Sequence, residues 1–180
     1  MAEAATFFLL RHGETGAGKV FRGSIDDELT EVGWQQMRDA VAGLESVHHV
    51  YSSPMKRCQH FAEYFAGELG KRVTVVRDLR EMDFGTWEGM SSADVMEHDP
   101  DGLKQFWEDP FSYTPPGGES LQQFIDRVIP AWQSIHKQDA SINLVVTHGG
   151  VIRVVKSFIA GSDYRDLMTF EVANGSLHRV

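Results

Sequence analysis

Two segments of the chain share one build, an apolar run that stops at a histidine followed by glycine. They are Phe7-Phe8-Leu9-Leu10-Arg11-His12-Gly13-Glu14-Thr15 and Leu144-Val145-Val146-Thr147-His148-Gly149-Gly150. A neutral imidazole is a competent nucleophile near pH 7 when its second ring nitrogen is held by an acceptor. The glycines let backbone come close to a ligand, and Gly149 and Gly150 at the opening of a helix would aim unpaired N–H groups at an anion. A third apolar run ends at Ser52-Ser53-Pro54 and delivers Arg57 from the first turn of the helix after it. Two guanidiniums and two imidazoles around one spot suit a phosphoryl group, because the planar fork of arginine matches its oxygens. A single His-Gly after a strand is more often a turn feature, so the weight rests on the pair.

The elements that must position these residues alternate. Residues 6–10, 47–51, 73–76 and 142–147 read as strands, with 169–172 and 176–180 as closing strands. Thr30 opens a helix with the stripe Trp34, Met37, Val41 and Leu44. Ser53 and Pro54 form an N-cap and first-turn pair for a helix whose face is Cys58, Phe61, Ala62, Phe65 and Leu69, closed by Gly70. A long helix after Glu119 carries Leu121, Phe124, Ile125, Val128, Ile129, Trp132 and Ile135, with Pro130 as an expected kink, and 151–159 is a further helix. Strands separated by helices predict an α/β fold, a three-layer α/β/α sandwich with a mainly parallel sheet and its ligand site outside the carboxyl ends of the strands. Residues from about 80 to 118 hold Trp87, Trp107, Pro100, Pro110, Pro115 and Pro116 and break the alternation. They read as a small cap insertion within one domain spanning 1–180.

Seventeen basic against 26 acidic residues give a net charge of −9 over 180 residues, and 42% of the chain is hydrophobic. Such a chain buries about two-thirds of its unfolded surface and has no electrostatic footprint for nucleic acid or an anionic membrane. An anionic ligand must therefore meet a local cluster of basic groups. One cysteine makes neither an internal disulfide nor a Cys-rich zinc site, no run approaches the roughly 18 apolar residues of a membrane span, and Glu3 stands where a signal peptide would want a positive charge. A cytoplasmic protein is expected. Cys58 reads as an inert small hydrophobe, and His48, His49, His60, His98, His136 and His178 as surface or packing residues. A metal site built from His12, His148 and a carboxylate lacks any His-x-x-x-His or paired-Asp pattern, so the metal-free reading is preferred and no cofactor is expected.

Further blocks join these: Phe21-Arg22-Gly23-Ser24, Leu29-Thr30-Glu31-Val32-Gly33, Ser52-Ser53-Pro54-Met55-Lys56-Arg57-Cys58, Leu79-Arg80-Glu81-Met82-Asp83-Phe84-Gly85-Thr86-Trp87-Glu88-Gly89 and Gly117-Gly118-Glu119-Ser120. In this order, over nearly the whole chain, the set resembles the histidine phosphatase superfamily, also called phosphoglycerate mutase-like. The resemblance implies that His12 takes the phosphoryl group as a phosphohistidine. It implies that Arg11, Arg57 and His148 hold its oxygens, with Gly149 lending backbone, and that Glu81 protonates the leaving oxygen and then helps activate water. It implies no metal. The partner is then a small-molecule phosphate monoester, and pairing of two copies as a homodimer stays open.

The Glu81–Gly89 block resembles the phosphatase branch of the family more than the mutases. The short chain, the Phe21–Ser24 loop and Asp83-Phe84-Gly85 look most like the alpha-ribazole phosphatases of cobalamin biosynthesis. Phosphatases of sugar phosphates or phosphoglycerate, a phosphoglycerate mutase, and a catalytically silent phosphoester-binding module are the alternatives. Many members carry an asparagine shortly after the Arg-His-Gly-Glu-Thr block, where this chain reads Gly16-Ala17-Gly18-Lys19, so Arg22, Ser24 or Lys19 is expected to take over that contact. The aromatics Trp87, Phe106, Trp107, Phe111 and Tyr113 either stack on a substrate ring or pack the cap itself.

Overall fold

Because strands buried on both faces read as continuous apolar runs, the two His-Gly segments belong at the centre of a covered sheet. The computed structural model describes residues 5–136 and 141–180 and places them there. In chain order the elements are β1 (Thr6–Arg11), α1 (Glu31–Val41), β2 (His49–Ser52), α2 (Lys56–Glu68), β3 (Val73–Val75), α3 (Ser92–His98), α4 (Pro100–Glu108), α5 (Leu121–His136), β4 (Ile142–Thr147), α6 (Gly149–Ala160) and β5 (Leu177–Arg179). The five strands lie in the order β3-β2-β4-β1-β5, parallel except for β5, which runs antiparallel to β1. β1 and β4 are direct neighbours with Arg11 opposite Thr147, and the His12 N–H donates to the Thr147 carbonyl at 3.0 Å. His12 and His148 therefore leave the sheet side by side at its carboxyl edge.

The pleat sends alternate residues to two cores. Phe7, Leu9 and Val145 face the layer of α5 and α6 with Phe124, Val128, Ile152 and Val155, whereas Leu10, Leu144 and Val146 face α1 and α2 with Met37, Phe61 and Ala62. This is the expected three-layer arrangement. Thr30 caps α1 by accepting from the Gly33 N–H at 3.0 Å.

Two expectations need correction. Ser53 does not cap α2: Met55 is the N-cap residue without a side-chain bond, and the Ser53 hydroxyl is used by His148. Residues 169–172 pair with no strand, because Tyr164–Thr169 winds as a 3₁₀ turn and the Val172 carbonyl is taken by the Arg11 guanidinium. The expected closing strand at 176–180 is present as an antiparallel edge, with backbone bonds to β1 from Ser176 to Val180. Elsewhere α5 runs through Pro130 from Leu121 to His136.

Between residues 80 and 118 the chain forms a 3₁₀ turn at Gly85–Trp87 and the short helices α3 and α4. Ser91 and Asp94 make a reciprocal cap on α3, and Asp99 caps α4. Trp87, Val95, Leu103 and Phe106 belong to the same buried cluster as Phe7 and Phe124, so this segment packs onto the α5 and α6 side of the sheet. Among the described residues no helix is long and apolar enough to cross a membrane. Glu3 lies outside the described residues.

Candidate active site

The close packing of the first loop fixes the position of His12. Gly13 lies against the Gly33 carbonyl so tightly that a Cβ there would overlap it, and the His12 carbonyl accepts from the Gly175 N–H at 3.1 Å. His12 Nδ1 is 2.8 Å from the Gly13 carbonyl. A carbonyl only accepts, so Nδ1 carries the hydrogen and Nε2 keeps a free lone pair. Burial, reinforced by the Arg57 charge, holds the His12 pKa well below the usual histidine range, which keeps the ring neutral and nucleophilic.

His148 is fully buried beside it, with ring centroids 5.3 Å apart in an edge-on arrangement. It shares a 2.7 Å hydrogen bond between Nε2 and the Ser53 hydroxyl, and burial next to Arg57 also depresses its pKa. Arg57, equally buried, donates through Nη1 to the Ile25 carbonyl at 2.6 Å and through Nη2 to the Gly23 carbonyl at 3.0 Å. Arg11 donates to the Val172 carbonyl and lies beside Gly149. The Nε atoms of Arg11 and Arg57 are buried with no hydrogen-bond partner among the described residues. Leaving a buried charged donor unpaired costs more than a typical hydrogen bond, so both call for an acceptor from outside the chain.

Glu81 follows the 3₁₀ turn at Arg77–Leu79, and its Oε2 accepts from the Gly150 N–H in the first turn of α6 at 3.0 Å, while Oε1 accepts from the Met82 N–H at 3.1 Å. Gly150 has no room for a Cβ, which would collide with Glu81 Oε1. Sequence reasoning missed the group that holds this loop. Arg127 on α5 donates to the carbonyls of Asp78, Arg80 and Glu81 at 2.8, 2.9 and 2.9 Å and grips Glu119 with both Nε and Nη2, at 2.6 and 2.7 Å. The available signal was Glu119 in the Gly117–Ser120 block, a carboxylate that wants a bidentate partner a few residues along the next helix.

Arg11 and His12 open into a cavity of about 580 Å³ that also takes in Lys19, Arg22, Trp107 and Arg153. Glu81 instead lines an adjoining apolar slot of about 120 Å³, with Phe84, Phe124 and Leu167. Phe21, Trp107 and Arg153 are walls of both. Arg22 is aimed by an ion pair from its Nε to Asp27 at 2.8 Å. Ser24 is not brought to the cavity: it is exposed, and its N–H donates to Glu88 at 2.9 Å. Arg57 and His148 are fully buried next to His12. Trp87 packs edge-on against Phe106 and stacks on Tyr113 at 5.5 and 5.6 Å, which leaves Trp107 as the segment's aromatic facing both spaces. Cys58 donates to the Thr147 carbonyl at 3.4 Å, and burial pushes its pKa up to about 12, so it stays a thiol. Among the described residues no group of three or more His, Cys, Asp or Glu side chains is placed to hold a metal ion.

Known proteins resemble the chain in sequence and fold. The chain is 37% identical over 159 residues to Phosphoglycerate mutase-like protein 4 of Arabidopsis thaliana, covering 83% of this chain and 68% of that protein. Other relatives matched at 41% identity are longer, and the match spans 34% of their length. Among solved structures, the alpha-ribazole phosphatase of Shigella flexneri superposes with a TM-score of 0.85 at 28% identity, covering 97% of this chain and 89% of that one. A mycobacterial glucosyl-3-phosphoglycerate phosphatase gives 0.85 at 25% identity, covering 98% and 89%. Residues 7–180 match the family model of the histidine phosphatase superfamily (branch 1), and the chain belongs to that family.

Proposed function

We propose that the protein hydrolyses small phosphate monoesters through a phosphohistidine on His12, with guanidinium groups supplying the charge stabilisation that metal ions supply elsewhere. The observation that carries this is the free Nε2 lone pair of His12 beside two buried, partnerless guanidinium N–H groups. Phosphoryl transfer asks for in-line positioning and stabilised equatorial oxygens more than for covalent assistance. In the first step the phosphoryl oxygens accept from Arg11 and Arg57, Nε2 bonds to phosphorus, and the bond to the alcohol oxygen breaks. Protonated Glu81 gives its proton to that oxygen. In the second step Glu81, now a carboxylate, takes a proton from water as the water oxygen bonds to phosphorus. The bond to Nε2 breaks, inorganic phosphate leaves, and both residues are restored. His148, neutral and anchored on Ser53, orders the floor beneath the phosphoryl group.

For the alcohol half, alpha-ribazole 5′-phosphate is the finer reading. It is supported by the Shigella flexneri structure and by the aromatic walls next to Glu81. A second reading, the phosphate ester of a hydroxy acid, is favoured by the basic residues lining the larger cavity. A cytoplasmic setting belongs to the same proposal. The test is phosphate release in EDTA from p-nitrophenyl phosphate, alpha-ribazole 5′-phosphate, 3-phosphoglycerate and fructose 2,6-bisphosphate, with acid-labile labelling of His12 as the second readout. Release without an acid-labile phosphoenzyme sinks the mechanism, and weak, equal turnover of all four sinks both readings of the alcohol half while keeping the mechanism.

A further inference from the structure

The chemistry above uses Arg11 and Arg57 on the phosphoryl group. The larger cavity holds three more cations, Lys19, Arg22 and Arg153, against one acidic wall residue, Glu171. In a chain of net charge −9 this is a local reversal of sign, and a cleft of one sign concentrates ligands of the other. One phosphoryl group does not use it up.

Arg153 is the member whose position is most telling. It lies five residues after His148 on α6, and a Cβ on Gly149 would meet its Nη1 at 3.2 Å and Arg11 Nε at 3.4 Å, so the two guanidiniums flank the start of α6 together. Its Nε donates to the Phe170 carbonyl at 3.2 Å, which fixes the plane of the guanidinium. It takes part in none of the ion pairs found among the described residues, unlike Arg22, whose charge is answered by Asp27. Partial burial lowers its pKa while Glu81 and Glu171 oppose the shift, so it is a half-desolvated cation with only diffuse compensation. Arg153 also lines both spaces, the one with His12 and the one with Glu81. An ester whose phosphorus faces His12 and whose leaving oxygen faces Glu81 must run its first carbons past this guanidinium.

We propose that Arg153 is a specificity-determining residue that reads a second anionic group close to the scissile phosphate, so that the preferred substrates are phosphate esters of small hydroxy acids or of alcohols bearing a second phosphate. This rests on the phosphomonoesterase reading and takes its second form, the ester of an anionic alcohol, against the alpha-ribazole one. The shared chemistry is a set of anionic oxygens within reach of a guanidinium fork, which rewards both carboxylate and phosphate and does nothing for a neutral hydroxymethyl or heteroaromatic group.

The experiment compares kcat/KM for 3-phosphoglycerate and glycerol 3-phosphate, which differ by carboxylate against hydroxymethyl, and for fructose 1,6-bisphosphate and fructose 6-phosphate. The first pair reports a carboxylate and the second a phosphate. The protein is expected to prefer the doubly anionic partner of at least one pair by about thirtyfold, the usual reach of a charge-assisted hydrogen bond. Arg153→Met should bring that ratio to within about threefold, chiefly by raising KM, and Arg153→Lys should keep part of it. Lys104→Met, which removes an exposed cation on α4, should leave the ratio alone. Equal rates within both pairs in the unmutated protein, or a preference that survives Arg153→Met, overturns the assignment while p-nitrophenyl phosphate is still hydrolysed. No hydrolysis of any ester removes the phosphomonoesterase reading and this one together. A merely structural Arg153, holding the Phe170 carbonyl, would lower all rates and the melting temperature without changing the ratios.

Discussion

The floor and the rim of the site are built on different principles. The floor comes from adjacent strand ends: His12 and His148 leave β1 and β4 side by side, and both are buried along with Arg57 and Ser53. The rim comes from one loop and two helices: Lys19 and Arg22 share the loop, Trp107 lies on α4 and Arg153 on α6, and none is fully buried. A sheet edge defines positions to fractions of an ångström because strand register and two packed faces leave no slack, whereas a loop residue can be exchanged at small cost to the core. Reaction chemistry is therefore assigned to the floor and choice of alcohol to the rim. Substitutions should separate the two.

The largest effect is expected at His12, the proposed nucleophile. His12→Ala should lower kcat by about 10⁴-fold or more on every ester, with the melting temperature little changed, since the ring is replaced at an opening and not in the apolar core. A residual rate within a hundredfold of the unmutated protein, on pure enzyme, would reassign the floor. Next comes Gly150→Ala. The added methyl group falls on Glu81 Oε1, so the carboxyl must move, and a displacement of about 1 Å costs roughly a hundredfold in kcat. The loss should shrink for esters with good leaving groups such as p-nitrophenyl phosphate, which need little protonation. A loss equal for all leaving groups would show that Gly150 does not act through Glu81.

Arg127→Met tests the same carboxyl from behind. It removes three bonds to the carbonyls of Asp78, Arg80 and Glu81 and leaves Glu119 without its bidentate partner, for a stability cost of about 2–3 kcal/mol and a kcat loss of about tenfold. The fall in kcat should again follow leaving-group basicity, measured across a series of phenyl phosphates. A rim effect, by contrast, would appear in KM.

The floor also sets the pH response of stability. The pKa values of His12 and His148 lie well below the unfolded value of about 6.5 because the folded protein buries both rings next to Arg57. The unfolded chain thus binds more protons than the folded one below that pH. Folding stability is complete above about pH 6.5 and declines as pH falls, by up to about 1.4 kcal/mol per pH unit for each ring. Denaturant unfolding of His12→Ala between pH 7 and 5 should show a slope smaller by about one proton. An unchanged slope would mean that His12 is charged in the folded state.

Much of the floor was legible because its signals are local. An apolar run ending in His-Gly states a strand, its end and a close backbone approach in a few residues, and Thr30 three residues before Gly33 states a cap. What failed was where a long-range bond joined or displaced a local one. Ser53 and Pro54 have the chemistry of a helix start, yet the hydroxyl, besides accepting from the Met55 N–H at 3.3 Å, bonds His148, 95 positions away, and α2 opens only at Lys56. Residues 169–172 have strand composition, but a carbonyl of theirs belongs to Arg11 across the site. Arg127 and Arg153 were invisible for a related reason: each is one arginine on an otherwise regular helix, and only the fold reveals that one faces three loop carbonyls and the other faces the cavity.

The smallest effects belong to the loop that replaces the family's asparagine, and they sharpen the contrast between floor and rim. Arg22 reaches the cavity and Ser24 does not, although they are two residues apart, because the Gly23, Ser24 and Ile25 N–H groups all turn away to the Glu88 carboxylate. That carboxylate fixes the loop from outside, while Asp27 aims the Arg22 guanidinium from its Nε side. Arg22→Ala should raise KM about fivefold for every phosphate ester with kcat within about twofold, in keeping with one partly exposed charge. Asp27→Asn should give the same change at about half the size, by releasing the guanidinium without removing it. Ser24→Ala should leave both constants within about 1.5-fold, since the bonds it makes are through its backbone. An effect of Ser24→Ala as large as that of Arg22→Ala would place the hydroxyl on substrate and the rim's boundary one turn further out.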